Sequence, residues 1–347
     1  MKKLEALFND DFTIKDKLMS DKKVTIIVPC YNVAETLSRF LDSVLKQTYQ
    51  NIQLIAIDDG STDDTAAILQ KYRKKFLQKN MDFLYIYQEN QGLGGAINTG
   101  LKYIEGEFLC WADPDDFYMD TSVEERLKIL VEHKEYDIVS SDAYYYNSDD
   151  LTTPIQKATD GLVHKYEPDQ FEYLLLEKSH FCSGCHMLRM SAFDKVNPKH
   201  EIYPARRGQN WQMLLPIYYC CKRYFLDKPL YGYIIYSNSM SQGDNNEEKA
   251  LERIDEHERI LVETLKNIEM TTDIRKKYLD IIEIRYSEKR FYVAADFKDR
   301  RLLKKMYSKL EQLSGLNKNI HKLYLRNNYL FFKLLYKFLD QFKKDDV

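Results

Sequence analysis

Glycine and proline are scarce, at 12 and 8 residues, and 44% of the chain is hydrophobic, which excludes a collagen-like or disordered polymer. No stretch approaches the roughly 18 consecutive uncharged apolar residues that a membrane-spanning helix needs. The segment from Met1 to Met19 mixes acids and lysines with its apolar residues and does not read as an export signal, so the chain is expected to be cytoplasmic. An excess of one charge is missing as well. With 51 basic and 54 acidic residues the formal net charge is -3, so nothing global attracts nucleic acid and any electrostatic partner must be met by a local patch. Cysteine is sparse: Cys30, Cys110, Cys182, Cys185, Cys220 and Cys221 lie mostly in apolar segments, which favours buried reduced thiols over disulfides. The string His180-Phe181-Cys182-Ser183-Gly184-Cys185-His186 has the C-x-x-C-H spacing of a covalent haem site or half a zinc site. Haem attachment needs an export context, and a structural zinc needs a second ligand pair, so neither is expected.

At 347 residues the chain exceeds the roughly 250 to 300 at which a single core stops growing, so a main domain with an appended region is expected. Val24-Thr25-Ile26-Ile27-Val28 is β-branched without alternation, the pattern of a strand buried on both faces. Leu37, Phe40, Leu41, Val44 and Leu45 then form one apolar helical stripe. A second strand is read at Ile52 to Ile57. It is followed by a helix that Ser61 would cap, with Asp64 completing a capping box. Phe83 to Tyr87 reads as a third strand, Ala96 to Ile104 as a helix after a glycine-rich turn, and Phe108 to Ala112 as a fourth strand. The alternation predicts an α/β fold with a mostly parallel sheet and helices on both faces. From about Glu247 the pattern is helical, with no punctuation until Ser314-Gly315. The expected organisation is a main α/β domain over 1–245, with halves at 22–120 and 121–245, and a helical region over 246–347.

In such sheets ligands bind beyond the carboxyl ends of the strands. Three strand ends carry polar groups there: Pro29-Cys30-Tyr31-Asn32, Asp58-Asp59 and Asp113-Pro114-Asp115-Asp116. The last places three carboxylates in four residues. A hard divalent cation relieves their repulsion and grips a diphosphate, whereas an acidic turn capping a helix is the bland reading. Gly92-x-Gly94 begins like a dinucleotide loop, but Ile97 fills the third glycine position and the loop is not the first strand-to-helix turn.

Taken together over about Val24 to Tyr118, these segments resemble family 2 glycosyltransferases of the GT-A fold. Val28-Pro29-Cys30-Tyr31-Asn32, Leu45-Lys46-Gln47-Thr48-Tyr49, Ile57-Asp58-Asp59-Gly60-Ser61-Thr62-Asp63 and Asn90-Gln91-Gly92-Leu93-Gly94-Gly95-Ala96 look like that family's segments in order, and Asp113-Pro114-Asp115-Asp116 is similar to its DXD motif. The resemblance implies a nucleotide-sugar donor, UDP-linked, and a Mn²⁺ or Mg²⁺ ion. It implies that Asp59 accepts the uracil imide N–H and that Pro29, Tyr31 and Glu35 shape the nucleoside pocket. Asp58, Asn90 and Gly92 would lie on the donor side with Arg207. Asp113 would face the ribose or a metal-bound water, and Asp115 would ligate the metal. Where family members carry a Glu-Asp pair as acceptor base, the matching segment here is Arg206-Arg207-Gly208-Gln209-Asn210-Trp211-Gln212, with amides in place of both acids. An amide cannot take a proton, so Asp116 or His186 stand as replacement bases, with Gln209 and Asn210 beside them, and Trp211 and Gln212 would meet the acceptor.

The implied function is metal-dependent, inverting transfer of a sugar to a cell-surface polysaccharide, glycolipid or related glycoconjugate. A nucleotide-sugar-binding protein without transfer is the competing reading. A nucleotidyltransferase would need a basic, glycine-rich opening after the first strand, and this chain has none there. Lys318 to Lys344 combines lysines with tyrosines, phenylalanines and leucines, which suits either an interfacial membrane helix or an amphipathic helix docked on protein.

Overall fold

A computed structural model describes residues 19–180, 182–236 and 246–329. These fall in two compact units, 19–236 and 246–329.

The first unit is built on one sheet. Strand β1 (Val24–Cys30) is buried along its whole length and pairs in parallel with β2 (Ile52–Asp59) and β4 (Phe108–Trp111), while β3 (Asp82–Gln88) adds in parallel to β2. The register sets Cys30 opposite Asp58 and Ile27 opposite Trp111, so the polar residues that follow leave the sheet on one edge. Beyond β4, short antiparallel pairs join the long parallel ones. Strand β8 (His186–Arg189) runs antiparallel to both β4 and β6 (Ile138–Asn147). Strand β9 (Arg223–Ile235) is parallel to β6, whereas β5 (Phe117–Tyr118) and β7 (Gln156–Lys157) pair antiparallel with β9 and β6. The sheet is therefore mixed, in the order β3-β2-β1-β4-β8-β6-β9-β5. The chain enters β8 from a one-turn 3-10 segment (Ser183–Cys185), not from a crossover helix, and that connection lets the strand direction reverse.

Helix α1 (Ala34–Leu45) buries the predicted stripe Leu37, Phe40, Leu41, Val44 and Leu45. Helix α2 (Thr65–Gln78) starts later than a Ser61 cap would place it. The Ser61 hydroxyl instead accepts the Asn32 N–H at 3.0 Å, and Asp63 accepts the N–H groups of Ala34 at 2.9 Å and Thr65 at 3.0 Å. The Ser61 side chain, expected to cap a helix, thus binds the end of β1 to the end of β2, and Asp63 joins it there. Helix α3 (Gly92–Leu101) begins within the glycines rather than at Ala96. The Gly94 N–H donates to the Ala205 carbonyl at 2.8 Å, and a Cβ on Gly94 would stand 2.8 Å from both Tyr203 O and Ala205 N. Glycine there lets the backbone of residues 203–205 lie directly on the helix. Helices α4 (Ser122–Glu132), α5 (Phe171–Leu175), α6 (Met190–Val196) and α7 (Gln209–Cys220) complete the unit.

All six cysteines are free thiols, and Cys220 departs from the expected burial, being exposed with its sulfur 3.3 Å from that of Cys221.

The second unit contains α8 (Glu247–Asn267), α9 (Thr272–Asp296), α10 (Arg300–Gln312) and α11 (Lys318–Asn328). Asn246, Thr271, Asp299 and Asn317 each accept a backbone N–H at the start of these helices, and such caps stabilise by about 1 kcal/mol apiece. Its core gathers Phe291, Ala294, Leu303, Met306, Leu310 and Ile320. Ser314, at φ 55°, turns the chain at the predicted punctuation. Among the described residues no helix is long and apolar enough to cross a membrane. Of the basic aromatic stretch, 330–344 lies outside the described residues.

The Gly94 contact generates a test. Because the facing atoms are backbone and cannot swing aside, Gly94→Ala should destabilise the protein by roughly 1 to 3 kcal/mol despite alanine's better helix propensity, as measured by urea denaturation. An unchanged or raised midpoint would refute the close approach.

Candidate functional site

The strand ends place most of the predicted donor-side residues along one edge. Pro29 is within β1, in register with Ile57, and Tyr31 follows with 52% of its surface exposed. Asn32 is left-handed at φ 51° and accepts the Thr62 N–H at 2.8 Å, locking this turn to the one after β2. Glu35 is exposed on the first turn of α1.

Asp58 and Asp59 are buried, at 0% and 4% exposure, and both already have partners. Asp58 accepts the Ser61 N–H at 2.9 Å and the Tyr85 hydroxyl at 3.3 Å. Asp59 accepts Gln88 Nε2 at 2.6 Å and the N–H groups of Gln91 and Gly92 at 2.8 and 2.9 Å. A carboxylate offers about four acceptor positions; two of those on Asp59 hold the start of α3 and a third holds Gln88 at the end of β3. Asn90 reinforces this by accepting the Gly92 N–H at 3.2 Å. Opposite, a Cβ on Gly92 would lie 3.4 Å from Arg206 Cγ, so the segment that leads to half-buried Arg207 backs directly onto the helix start.

The turn after β4 is held from several sides. The Ser183 hydroxyl donates to Asp113 Oδ2 at 2.6 Å. Arg39 donates to the Asp115 carbonyl at 2.5 Å, and the Tyr236 hydroxyl donates to the same oxygen at 3.2 Å. Asp116, 2% exposed, accepts the Ile234 N–H at 2.9 Å, which ties the turn to β9. A cavity of about 610 Å³ opens on the Arg39 side, lined by Asp42, Lys46, Phe117, Met119 and Asp120.

Burial and mutual repulsion dominate the electrostatics here. Burial, then the neighbouring Asp115 charge, pushes Asp113 up to about 6, against the opposing Ser183 hydrogen bond. Burial also raises Asp115, with Arg39 opposing, and burial with both neighbouring acids lifts Asp116 well above the carboxylate range. Clustered hard oxygens with suppressed ionisation fit a divalent cation such as Mn²⁺ or Mg²⁺. Among the described residues no three His, Cys, Asp or Glu side chains form a ready-made cage, so phosphate and water oxygens would complete the shell, as suits Mg²⁺-like ions.

On the acceptor side several expectations are corrected. Gln212 spends both ends of its amide on Tyr203, accepting its N–H at 2.6 Å and donating to its carbonyl at 3.0 Å, and is 5% exposed. Trp211 and Gln209 are likewise buried, at 5% and 8%, so packing of α7 accounts for them. His186 is wholly buried in a chain with the Ser140 hydroxyl at 2.8 Å, itself 3.2 Å from the Tyr218 hydroxyl. Burial and nearby cationic groups keep its imidazole neutral, and with no exposed surface it cannot receive an acceptor proton. Asp116 is similarly enclosed. Asn210 is different: half-buried, it accepts the Trp111 indole N–H at 2.7 Å. Indole only donates, so the amide oxygen must face Trp111 and the amide nitrogen faces away as a donor. The anchoring roles of Trp111, Arg39, Tyr236 and Ser183 were not read from the sequence. Ser183 alone had a visible signal, its place inside the C-x-x-C string.

A carboxylate raised by folding makes the folded state less stable once pH exceeds its unfolded value, about 3.9 for Asp, and the full penalty is present above its folded value. Asp113→Asn mimics the protonated form and retains an acceptor for Ser183. In the absence of ligand it should be more stable than the parent at pH 7.5 by roughly 1 to 3 kcal/mol, and the advantage should shrink as pH falls through about 6 toward 4. Paired thermal melts across pH check this; a variant less stable at pH 7.5 would contradict it.

The family model for glycosyl transferase family 2 matches residues 25–196. Streptococcus pneumoniae glycosyltransferase GlyA is 30% identical over 239 residues, covering 65% of this chain and 32% of that protein. The minor teichoic acid biosynthesis protein GgaB of Bacillus subtilis is 34% identical over 144 residues, covering 41% of this chain and 14% of its own. This chain thus spans about a third or less of the length of these relatives. Among solved structures, S. aureus TarS 1-349 in complex with UDP-GlcNAc superposes with a TM-score of 0.58 at 19% identity, over 90% of this chain and 92% of that one. The mixed sheet with its carboxylate turn is thus a GT-A fold, and through residues 25–196 the chain belongs to glycosyl transferase family 2.

Proposed function

We propose that this protein transfers a sugar from a UDP-sugar to a cell-surface polysaccharide or related glycoconjugate, with inversion, by direct displacement. The observation that carries the reading is the turn Asp113–Asp116, three crowded acids at the end of a buried strand that are fixed by Ser183, Arg39, Tyr236 and the Ile234 N–H. The TarS complex with UDP-GlcNAc and the teichoic acid role in the name of GgaB support the donor and acceptor classes.

In this reading the nucleoside lies against Pro29 and exposed Tyr31. Asp59 contributes by holding Gln91 and Gly92, and its remaining acceptor position is the one open to a uracil imide. Asp113 and Asp115 would hold a divalent cation that neutralises charge on the departing diphosphate. An acceptor hydroxyl oxygen forms the new bond to the anomeric carbon as the bond to the diphosphate oxygen breaks, and the hydroxyl proton passes to a phosphate oxygen of the departing diphosphate. Asn210 cannot accept it. Its outward amide nitrogen instead donates to an oxygen of the acceptor or the diphosphate, which makes it an orienting group. A missing base slows such a step by typically 10²- to 10⁴-fold and leaves donor binding intact.

The amides Gln209 and Asn210 also support a second reading, a nucleotide-sugar-binding protein without transfer. Calorimetry with UDP and Mn²⁺ tests the donor site common to both. Asp115→Asn should weaken binding about tenfold or more, and undiminished affinity in that variant or in EDTA would refute the metal assignment. Asn210→Asp separates the readings, because the Trp111 N–H can still be accepted and the fold retained. A rise in turnover with a new carboxylate in the pH profile supports transfer with a displaced base. Tight UDP binding with no release of UDP from any donor in either protein supports the binding protein.

A further inference from the structure

We propose that Ser183 is a positioning residue for the donor site: it fixes the Asp113 carboxylate so that Oδ1 alone is offered to the diphosphate and its divalent cation. The inference rests on the donor-site reading above and assigns a role to the C-x-x-C string that neither haem nor zinc accounts for.

The contact is short and enclosed. Ser183 is 1% exposed and its hydroxyl donates to Oδ2 of the half-buried Asp113 at 2.6 Å, a hydrogen bond to a charged acceptor enclosed on the serine side. With Oδ2 occupied, the carboxylate cannot rotate without breaking that bond, and Oδ1 is the oxygen left for a ligand. The hydroxyl also favours the charged form of Asp113 against the effects of burial and of Asp115.

The Ser183 backbone is held rigidly enough for this bond to orient its partner. A Cβ on Gly184 would stand 1.9 Å from the Tyr231 ring, so the turn is pressed flat against β9 by an approach that only glycine allows. The Tyr231 hydroxyl lies 3.4 Å from the Asp113 N–H and 3.5 Å from its carbonyl, so the same side chain gauges both the turn and the strand end. From the other side Arg126, with no exposed surface, donates to the carbonyls of Gly184 at 2.7 Å and His186 at 3.1 Å. Arg126 is itself fixed by Ser122, through the carbonyl and hydroxyl oxygens, both at 3.0 Å. The Cys185 N–H closes the turn on the Cys182 carbonyl at 3.2 Å, and the Ser141 hydroxyl donates to the Cys185 carbonyl at 3.4 Å. Three elements, α4, β6 and β9, therefore converge on one turn whose side chain reaches back to the end of β4. A buried serine needed only for packing would not require so much support directed at a carboxylate.

The test is calorimetric titration of UDP in the presence of Mn²⁺ and, separately, in EDTA, on the parent protein, Ser183→Ala and Ser183→Thr. Ser183→Ala should weaken the Mn²⁺-dependent binding about tenfold, leave UDP affinity in EDTA unchanged and unfold within a few degrees of the parent. Ser183→Thr, which keeps the hydroxyl, should recover most of the loss. Equal affinity of Ser183→Ala and parent in Mn²⁺ overturns the proposal, as does a loss of the same size in EDTA, which would mark Ser183 as a general packing residue. If the parent itself gains no affinity from Mn²⁺, the donor-site reading fails and the proposal with it, an outcome visible in the parent before any variant is compared.

Discussion

Three carboxylates confined to four residues repel one another, and burial at the end of β4 raises that penalty by removing the water that would screen them. Much of the structure around this turn supplies partners for it. Arg39 from α1 and Tyr236 beyond β9 hold the Asp115 carbonyl, the Ile234 N–H holds Asp116, and Ser183 holds Asp113. None of these neutralises the cluster fully. The unliganded protein thus keeps a local excess of negative charge that a cation and an anionic diphosphate would relieve together, and stability given up here appears as binding energy for the pair.

The same construction explains the shape of the sheet. A parallel run of β3-β2-β1-β4 brings its polar ends to one edge, but a parallel neighbour to β4 would need a crossover helix. Antiparallel β8 reaches β4 through the turn Ser183–Cys185 instead, and that turn is what lets Ser183 meet Asp113. Across from it, the glycines of α3 admit the backbone of residues 203–205 and set Arg206 against the helix start. The Trp111 to Asn210 hydrogen bond then joins the strand of the carboxylate turn to the helix carrying the amides.

The segment from Val24 to Trp111 was largely legible in the sequence because its signals are local. β-Branched runs such as Val24 to Val28 became buried strands, and the stripe from Leu37 to Leu45 became the inward face of α1. Where local reading failed, a distant partner had taken over the group. Ser61 was expected to cap a helix and binds Asn32; Gln212 was expected to face a sugar and binds Tyr203; His186 was expected near the acceptor and lies among Ser140, Tyr218 and Trp111. The structural duty of Asp59 was not visible in its motif, since the residues it holds, Gln88, Gln91 and Gly92, lie some thirty positions on. The antiparallel strands escaped notice because β5, β7 and β8 have only 2, 2 and 4 residues, too short for a periodic signal.

The central claim is that the turn Asp113–Asp116 receives the donor diphosphate through a divalent cation. Anomalous scattering from manganese in crystals grown with UDP and Mn²⁺ tests it most directly. The account predicts a manganese peak within ligand distance of Asp115 or Asp113, bridged to both phosphates of UDP, with the uracil beside Tyr31. UDP bound without manganese at this turn, or with its diphosphate elsewhere on the protein, would contradict it.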